Sequence, residues 1–304
     1  MRASQKARLL FVLPVAVLTA AACEVNLATE GVTAQERRTF QVSGTPEISL
    51  DTFDGSIEVH SWDRNEVEVD VEKRAMEQEL LDAITIESSQ DGDAVTLKVT
   101  GPPRSSFRGV TVGVSFSPSA RLRVALPRNS HLTARSGDGS ITIEDVNGKL
   151  SLTTRDGSVR GQRLGGELVV RTDDGSIRLE RVSGAVDLES GDGSITLEAS
   201  PSTVRAVTAD GSIRVRIDPD AKMAGDWEFR TADGSITLGL PPAFSADLDL
   251  ESMDGTVRAS HAAIPDRADR DEDNRRRRSL RVTMGEGGHV LRARTGDGSI
   301  RIED

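Results

Sequence analysis

Residues 136–158 read SGDGSITIEDVNGKLSLTTRDGS, in which the tripeptide Asp-Gly-Ser closes one stretch and opens the next. Nine copies of the pattern Ser/Thr-x-Asp-Gly-Ser/Thr-Ile/Val occur in the chain, centred on Gly55, Gly139, Gly157, Gly175, Gly193, Gly211, Gly234, Gly255 and Gly298. From Gly139 to Gly211 each step is 18 residues long. A fixed period of this size is typical of a solenoid.

Each period divides into two halves, and each half is a short alternating run closed by a turn. Alternation places one set of apolar residues on a common side: Ile141, Ile143, Leu150, Leu152, Leu168, Val170, Ile177, Leu179, Val186, Leu188, Ile195, Leu197, Val204, Ala206, Ile213 and Val215. No half can bury this row alone, so successive coils have to stack with parallel strands about 4.8 Å apart. We therefore predict an all-β fold, a single-stranded parallel β-helix (β-solenoid) with about 18 residues per coil and one short helix in the N-terminal part.

The repeated motif supplies the candidate site residues, which we interpret as structural turns. They are Asp54, Gly55, Asp138, Gly139, Asp156, Gly157, Asp174, Gly175, Asp192, Gly193, Asp210, Gly211, Asp233, Gly234, Asp254, Gly255, Asp297 and Gly298. Glycine is expected to adopt positive φ at the corner, and aspartate to accept a hydrogen bond from the following Ser/Thr N–H in an Asx-turn. The leading Ser/Thr hydroxyl is expected to point inward and to satisfy backbone groups where the ladder ends.

The aspartates of successive motifs are expected to form a row along one edge. Unit charges about 4.8 Å apart repel by roughly 0.9 kcal/mol in water, so a partner should offset them. One candidate is arginine, because outward positions beyond the turns carry two rows of opposite charge: Arg160, Arg178, Arg214, Arg258 and Arg301, then Glu144, Glu180, Glu198 and Glu303. The other is Ca²⁺, although alternate half-coils lack the aspartate that nonapeptide Ca²⁺ solenoids repeat.

The segment before the regular repeat differs from it. Residues 74–84, RAMEQELLDAI, have helical spacing of apolar residues, and residues 85–99 form a predicted hairpin with its turn at Asp91 and Gly92. We divide the body, residues 38–304, into N-terminal coils with this helix-hairpin insertion (38–128) and regular coils (129–304). A charged loop is predicted at 265–279, and the last coil should leave an edge near Ile302, protected by the charges of its neighbours.

The N-terminus has the features of an export signal. Three basic residues precede an apolar run from Leu9 to Ala22, and Cys23, the only cysteine, follows directly. This arrangement resembles a bacterial lipoprotein signal, which implies a signal peptide at 1–22, lipidation of Cys23 and a lipid-anchored tether at 23–37. Removal of the three basic residues with the signal changes the formal net charge from −11 to −14. An acidic body disfavours nucleic acid and acidic membranes as partners, so membrane contact would be through the anchor only.

The sequence contains few of the residue patterns that are typical of enzyme active sites. Cys23 is assigned to the anchor, and His60, His131, His261 and His289 show no metal-ligand spacing and are expected on the surface. Neither a phosphate-binding loop before a helix nor a Gly-x-Ser-x-Gly elbow occurs in the sequence. We therefore predict no enzyme activity, no catalytic residues, no metal and no cofactor, and we expect a monomer.

The lipoprotein-like start, the helix-hairpin insertion, residues 120–141 (ARLRVALPRNSHLTARSGDGSI) and the serial DGSI turns together resemble one bacterial family. It is the family of "putative adhesins", DGS-repeat β-strand repeat proteins of unknown function. The resemblance spans about residues 40–304 and implies a β-helix in the cell envelope, either on the periplasm-facing outer membrane or at the cell surface. It brings no catalytic residues to carry over.

Three functions follow from these features. The leading hypothesis is a structural or adhesive lipoprotein that presents a solenoid face to a glycan, a cell-wall component or a protein. The second is an envelope sensor or assembly factor that docks a protein through residues 268–279 or through the helix near Leu80. The third is a Ca²⁺-stabilised solenoid.

Overall fold

The computed structural model describes residues 31–103, 117–264 and 278–304, and these residues are almost entirely β. The strands are β1 (Val32–Gln41), β2 (Glu47–Thr52), β3 (Ile57–Trp62), β4 (Glu66–Ala75), β5 (Thr85–Asp91), β6 (Ala94–Thr100), β7 (Ser119–Pro127), β8 (His131–Ser136), β9 (Ile141–Glu144), β10 (Asn147–Thr154), β11 (Val159–Thr172), β12 (Ile177–Ser190), β13 (Ile195–Thr208), β14 (Ile213–Ile217), β15 (Trp227–Thr231), β16 (Ile236–Gly239), β17 (Ala246–Ser252), β18 (Val257–Ala259), β19 (Ser279–Met284), β20 (Val290–Thr295) and β21 (Ile300–Glu303). Within these described residues α1 (Gln78–Asp82) is the single α-helix. The predicted all-β class with one short helix is confirmed.

The regular coils stack in parallel, one motif repeat above the next. Leu150 pairs with Leu168, Leu168 with Val186, and Val186 with Val204, and equivalent positions pair all along β10 to β13. Because the side-chain period of a strand is two, this register puts every apolar row directly above the same row of the previous coil. The repeat in the sequence thus becomes a continuous apolar column inside the stack.

Strand pairing arranges the strands on two faces that enclose the core. Face 1 contains β5, β6, β2, β8, β10, the second halves of β11, β12 and β13, then β15, β20, β17 and β19. Face 2 contains β1, β4, β7, β3, β9, the first halves of β11, β12 and β13, then β14, β16, β21 and β18. The Asp-Gly turns connect the faces at one edge, and the middles of β11 to β13 connect them at the other.

The interior is filled mainly by aliphatic side chains. All sixteen residues predicted to point inward are buried, and none exposes more than 3% of its surface. Trp227, Phe229 and Phe244 add aromatic rings near the C-terminal end and Phe40 adds one at the N-terminal end; the Trp227 and Phe244 rings lie 5.3 Å apart. Burying one Val, Leu or Ile contributes about 1.5–3 kcal/mol, so this column is the main stabilising term of the fold.

The coils are not stacked in the order of the sequence. The β2–β3 coil lies between the β6–β7 coil and the β8–β9 coil. At the other end, the β20–β21 coil is inserted between β15–β16 and β17–β18. The expectation of an open edge near Ile302 is therefore wrong, because β21 pairs with β16 on one side and with β18 on the other.

Antiparallel strands cover the N-terminal end of the stack. β4 pairs antiparallel with β7 and is itself covered by β1, while β5 closes face 1 by pairing with β6 around the predicted turn at Asp91 and Gly92. The helix, Gln78–Asp82, is shorter than the predicted 74–84. Strand β4 continues to Ala75, so the first residues of the predicted helix pair as a strand instead. Leu81 and Ile84 are nevertheless buried over the end of the core.

The C-terminal end has its own cap. β19 pairs antiparallel with β17, and its Leu280 and Met284 are buried. His261 was expected on the surface but is buried, with its Nε2 3.0 Å from the Leu240 carbonyl oxygen and 3.4 Å from an Asp304 carboxylate oxygen. A histidine can occupy this site because both ring nitrogens have a partner: its Nδ1 accepts the Ala263 N–H at 3.1 Å.

Several sequence predictions fall outside the described residues. These are the signal peptide at 1–22, lipidation of Cys23, residues 23–30 of the predicted tether and residues 265–277 of the charged loop. The last residues of the predicted tether, 32–37, belong to β1. Among the residues that the structure describes, the one helix is too short and too polar to pass through a lipid bilayer.

The inserted position of β21 leads to a stability prediction. Ile302→Ala is expected to lower the free energy of unfolding by about 2–5 kcal/mol, because the side chain is fully buried between two coils. Ile213→Ala in β14, at an equally buried interior position, is the matched control and should lose a similar amount. Urea unfolding of both variants measures this, and a much smaller loss at Ile302 would contradict the pairing of β21 on both sides.

Candidate functional site

The nine Asp-Gly turns form one continuous row along the edge of the stack. In axial order their glycines are Gly55, Gly139, Gly157, Gly175, Gly193, Gly211, Gly234, Gly298 and Gly255. Gly298 lies between Gly234 and Gly255 because the C-terminal coil is inserted there. The turns predicted from the motif are thus brought together in space, including the two outermost ones.

Close approach of neighbouring coils explains the glycines. A Cβ at Gly175 would lie 2.0 Å from the Gly157 carbonyl oxygen, and Cβ atoms at the eight other motif glycines would lie 1.9–2.3 Å from the nearest carbonyl oxygen. Positive φ, the reason expected from the sequence, is found at Gly55 alone among the nine. Glycine is therefore required at the other eight turns because no atom fits between two stacked peptide planes.

Positive φ occurs instead at the second edge of the stack. Gly166 and Gly184 have φ of 99° and 98°, and Arg163 and Arg181 both have φ of 55°. These residues lie where β11 and β12 bend from one face to the other without leaving the ladder. The left-handed backbone that the sequence suggested for the Asp-Gly edge is thus used for the opposite edge.

A ladder of buried hydroxyl groups ties the Asp-Gly turns together. The leading Ser/Thr of each motif is buried, and its hydroxyl donates to the carbonyl oxygen of the neighbouring coil. These bonds run from Thr52 to Ala120 (3.3 Å), Ser136 to Gly55 (2.9 Å), Thr154 to Gly139 (2.8 Å), Thr172 to Gly157 (3.1 Å), Ser190 to Gly175 (3.0 Å), Thr208 to Gly193 (3.0 Å), Thr231 to Gly211 (2.8 Å), Thr295 to Gly234 (2.7 Å) and Ser252 to Gly298 (2.7 Å). The expected inward hydroxyl therefore satisfies the turn's backbone in the adjacent coil.

The aspartates of the row point into water. Eight of the nine are exposed and Asp54 is half-buried, and within the described residues none of their carboxylates accepts the Asx-turn hydrogen bond expected from the sequence. Asp138 instead lies 3.3 Å from Arg155, and Asp254 lies 3.3 Å from Arg278. The backbone at this edge is already satisfied by the hydroxyl ladder, which leaves the carboxylates free of that role.

The predicted arginine row lies on face 2 and does not reach the aspartates. Arg178 pairs with Glu180 of its own strand at 3.0 Å, while Arg160 stands beside Arg178 and Arg258 beside Arg301 in the strand register. The arginine row therefore does not offset the aspartate row as predicted from the sequence. In the described part of the chain no three His, Cys, Asp or Glu side chains form a group suited to hold a metal ion.

Asp54 differs from the rest of the aspartate row. Partial burial, and in second place the charge of Asp138 one coil away, raise the pKa of its carboxyl above the ordinary value of 3.8. A raised pKa in the fold means that the ionised form is destabilising, so the stability present at low pH is lost as pH rises through this pKa. The row is therefore under electrostatic strain at the end where water is partly excluded.

Away from the Asp-Gly edge, the solvent-facing surface of face 1 contains shallow grooves. Its C-terminal half carries alternating charges on successive strands, with Arg171 and Arg205 on either side of Asp187 at 3.4 and 3.0 Å. Asp249 lies 3.1 Å from both Arg281 and Arg294. Partial burial acts to raise the pKa of Asp249, but hydrogen bonds and charges from these arginines hold it below its usual value. This half of the face is held by ion pairs within the protein.

The N-terminal half of face 1 contains a shallow groove of about 400 Å³. Neutral hydroxyl side chains from four adjacent strands line its floor in one row: Thr96, Ser49, Thr133 and Ser151. Ionisable side chains of β2, β8, β10 and the neighbouring β11 form a rim along one side of that row: Glu47, His131, Lys149 and Glu167. His131 Nδ1 accepts the Lys149 N–H at 3.0 Å, which leaves its Nε2 for the groove. This surface can form many hydrogen bonds at regular spacing along the axis.

The sequence did not reveal this groove. Its row combines residues of β6, β2, β8 and β10, and the first two of these strands adjoin β8 and β10 only because the β2–β3 coil is inserted out of order. Alternation identified these side chains as outward-facing. Predicting that they form one row would have required knowing the order in which the coils stack.

The turn glycines can be tested by adding a single methyl group. Gly175→Ala is expected to destabilise the protein by about 2 kcal/mol or more, because its Cβ would overlap the Gly157 carbonyl oxygen. Gly239→Ala in β16 is the control, since its Cβ would have no neighbour closer than 3.7 Å and should change stability by less than about 0.5 kcal/mol. Thermal and urea unfolding measure both, and equal stabilities would rule out the close approach as the reason for glycine.

The strained carboxylate leads to a prediction about pH. Asp54→Asn should raise the melting temperature at neutral pH, by an amount corresponding to less than about 1 kcal/mol, because it removes a partly buried charge beside Asp138. The gain should disappear below the ordinary pKa of 3.8, where the wild-type carboxyl is also protonated. Asp192→Asn, at an exposed position of the same row, is the control. A gain that is independent of pH would contradict this assignment.

A comparison with protein-family models identifies the family. The family model described as Toastrack DUF4097 matches residues 45–303 of the chain. No curated protein matches the chain.

Several solved structures match the chain at low identity and low TM-score. A "putative adhesin" from Bacteroides fragilis NCTC 9343 has 12% identity and a TM-score of 0.48, covering 88% of this chain and 97% of its own. A "putative adhesin" from Parabacteroides merdae ATCC 43184 has 11% identity and a TM-score of 0.37, with 89% and 96% covered. A "putative lipid binding protein" from Parabacteroides distasonis ATCC 8503 has 14% identity and a TM-score of 0.36, with 90% and 98% covered. At this level of similarity none of them indicates what the chain binds. The family match, which covers most of the chain, shows that this protein is a member of the Toastrack DUF4097 family.

Proposed function

We propose that the protein is a cell-envelope lipoprotein that acts as a non-enzymatic adhesive module and presents face 1 to an envelope glycan. The observation that supports this most is the groove with its row of hydroxyl groups from four adjacent strands. Hydroxyl groups both donate and accept hydrogen bonds, and so do those of a sugar chain. A sugar polymer lying along the solenoid axis would meet an equivalent group at every strand, about 4.8 Å apart.

The residues of face 1 favour polar recognition over ring stacking. Among the described residues its outward positions carry no Phe or Trp, and the chain has no Tyr at all. A glycan would therefore be held by hydrogen bonds, with the ionisable rim residues Glu47, His131, Lys149 and Glu167 along one side of the groove. Such contacts are individually worth about 0.5–1.5 kcal/mol, so useful affinity requires several of them in register.

Anchoring through Cys23 would place the solenoid close to the membrane surface. Gly31, the first described residue, lies eight positions after Cys23, and an extended chain of that length reaches at most about 29 Å. The end capped by β1 and β4 would then be nearest to the membrane, because β1 begins at Val32. Both faces would be accessible from the side of the rod.

The other functional hypotheses remain predictions. Docking of a protein partner through residues 268–279 depends on a loop of which only Arg278 and Ser279 lie in the described part. Stabilisation by Ca²⁺ would use carboxylates of the aspartate row, which are exposed and held apart on successive coils. Neither has a specific structural observation in its favour comparable with the groove.

The proposed glycan contact can be tested with charge substitutions on the groove floor. The double variant Thr133→Glu with Ser151→Glu should reduce capture of envelope glycans by about tenfold or more, equivalent to about 1.4 kcal/mol, because it fills the floor with two carboxylates. Thr196→Glu, at an outward position on face 2, is the matched control and should bind like the parent. Binding would be measured against a glycan panel and against isolated envelope fractions.

Two results would overturn the proposal. One is binding of the parent protein no stronger than that of a control with scrambled surface charges. The other is an equal loss with Thr196→Glu, which would move the contact away from face 1. Unfolding curves of all variants establish that the folded state is retained.

A further inference from the structure

The chain contains ten Asp-Gly bonds, a sequence with its own spontaneous chemistry. Nine are the stacked turns, and the tenth is Asp91–Gly92 in the β5–β6 hairpin. In such a pair the glycine backbone nitrogen can attack the aspartate Cγ, and a water molecule leaves as a five-membered succinimide forms. Water then adds to either carbonyl of the ring and yields aspartate or isoaspartate, with no other reactant.

This reaction needs a free glycine amide and a peptide plane that can rotate. In four stacked turns the glycine N–H is donated to the buried hydroxyl of the same motif: Gly139 to Ser136 (3.1 Å), Gly175 to Thr172 (3.1 Å), Gly193 to Ser190 (3.0 Å) and Gly211 to Thr208 (3.3 Å). The carbonyl group of each of these glycines is held as well, because it accepts the hydroxyl of the next coil. Rotation of these peptides would break both bonds and separate two packed coils.

The Asp91–Gly92 turn lacks both the clamp on the glycine N–H and the stacking between coils. Both residues are exposed, and a Cβ added at Gly92 would meet no heavy atom within 4 Å. The Gly92 carbonyl oxygen accepts a hydrogen bond from Gln90 Nε2 at 2.8 Å, whereas within the described part of the chain no hydroxyl accepts the Gly92 N–H. β5 is also the outermost strand of face 1, so no further coil holds the hairpin from outside.

We infer that Asp91 isomerises faster in the folded protein than the four clamped aspartates of the row, and that the Ser/Thr ladder protects those four turns from the same reaction. The ladder thus has a chemical role in addition to its structural one. Isoaspartate at position 91 adds a methylene group to the main chain of the turn that sets the β5–β6 register. The modification would loosen the strand that covers the edge of β6.

Prolonged incubation of the full folded chain at physiological temperature and neutral pH tests this inference. Peptide mapping by mass spectrometry reports the succinimide as a loss of one water and isoaspartate by its fragmentation. Isoaspartate should accumulate at Asp91 about tenfold or more faster than at Asp138, Asp174, Asp192 or Asp210, because the clamped turns react only when a coil opens. In the denatured chain all five should react at similar rates.

Two variants separate the chemistry from general stability. Thr172→Val removes the acceptor of the Gly175 N–H and should accelerate isomerisation at Asp174, whereas Thr172→Ser keeps the hydroxyl and should not. Gly92→Ala should slow the reaction at Asp91 alone, since a Cβ hinders the attacking nitrogen. The inference is overturned if any of the four clamped aspartates reacts as fast as Asp91 in the folded wild-type chain, a comparison that needs no variant to fold.

Discussion

Every feature of this protein depends on how closely consecutive coils approach at the Asp-Gly edge. Parallel strands are separated by about 4.8 Å, and a turn that is to follow the same spacing must place peptide plane on peptide plane. The stack permits no Cβ at that point, and each carbonyl oxygen needs a donor in a place that water does not reach. Glycine meets the first requirement, and the buried Ser/Thr hydroxyl one coil away meets the second.

A parallel stack of this kind has two open ends, and the chain departs from sequential stacking in a similar way at both. At the N-terminal end the β2–β3 coil lies inside the stack and the later β6–β7 coil lies outside it. At the C-terminal end the β20–β21 coil lies inside and the earlier β17–β18 coil lies outside it. Antiparallel strands then cover the last parallel strands of both faces at the N-terminal end, β5 on face 1 and β4 with β1 on face 2, and the last strand of face 1 at the C-terminal end, where β19 pairs with β17. Terminal coils would otherwise be paired on one side only and would fray. Inserting them gives Leu50 and Ile302 the surroundings of interior residues.

Periodicity alone was sufficient to predict the stacked coils, the inward residues and the positions of the turns, because these depend only on local alternation. It could not predict the order of the coils, since β3 and β21 carry the same apolar pattern as any coil between them. It also could not say why the motif needs glycine. Close packing and positive φ both select glycine, so the residue type alone does not distinguish the two reasons. The groove on face 1 was missed for the first reason and the role of Gly175 for the second.

These constraints divide the positions of the repeat into those that every coil must keep and those that can vary. The Ser/Thr, Gly and Ile/Val columns of the motif are committed to the ladder and the core, and every coil must repeat them. Any binding specificity must therefore come from outward columns that the stack leaves free to vary. On face 1 one such column changes from Thr133 and Ser151 at the N-terminal half to Asp187 and Arg205 further along. The charged stretch is neutralised within the protein, whereas the hydroxyl stretch leaves its hydrogen-bonding groups to solvent. A partner gains more from the second surface, because no internal ion pair has to be broken to reach it.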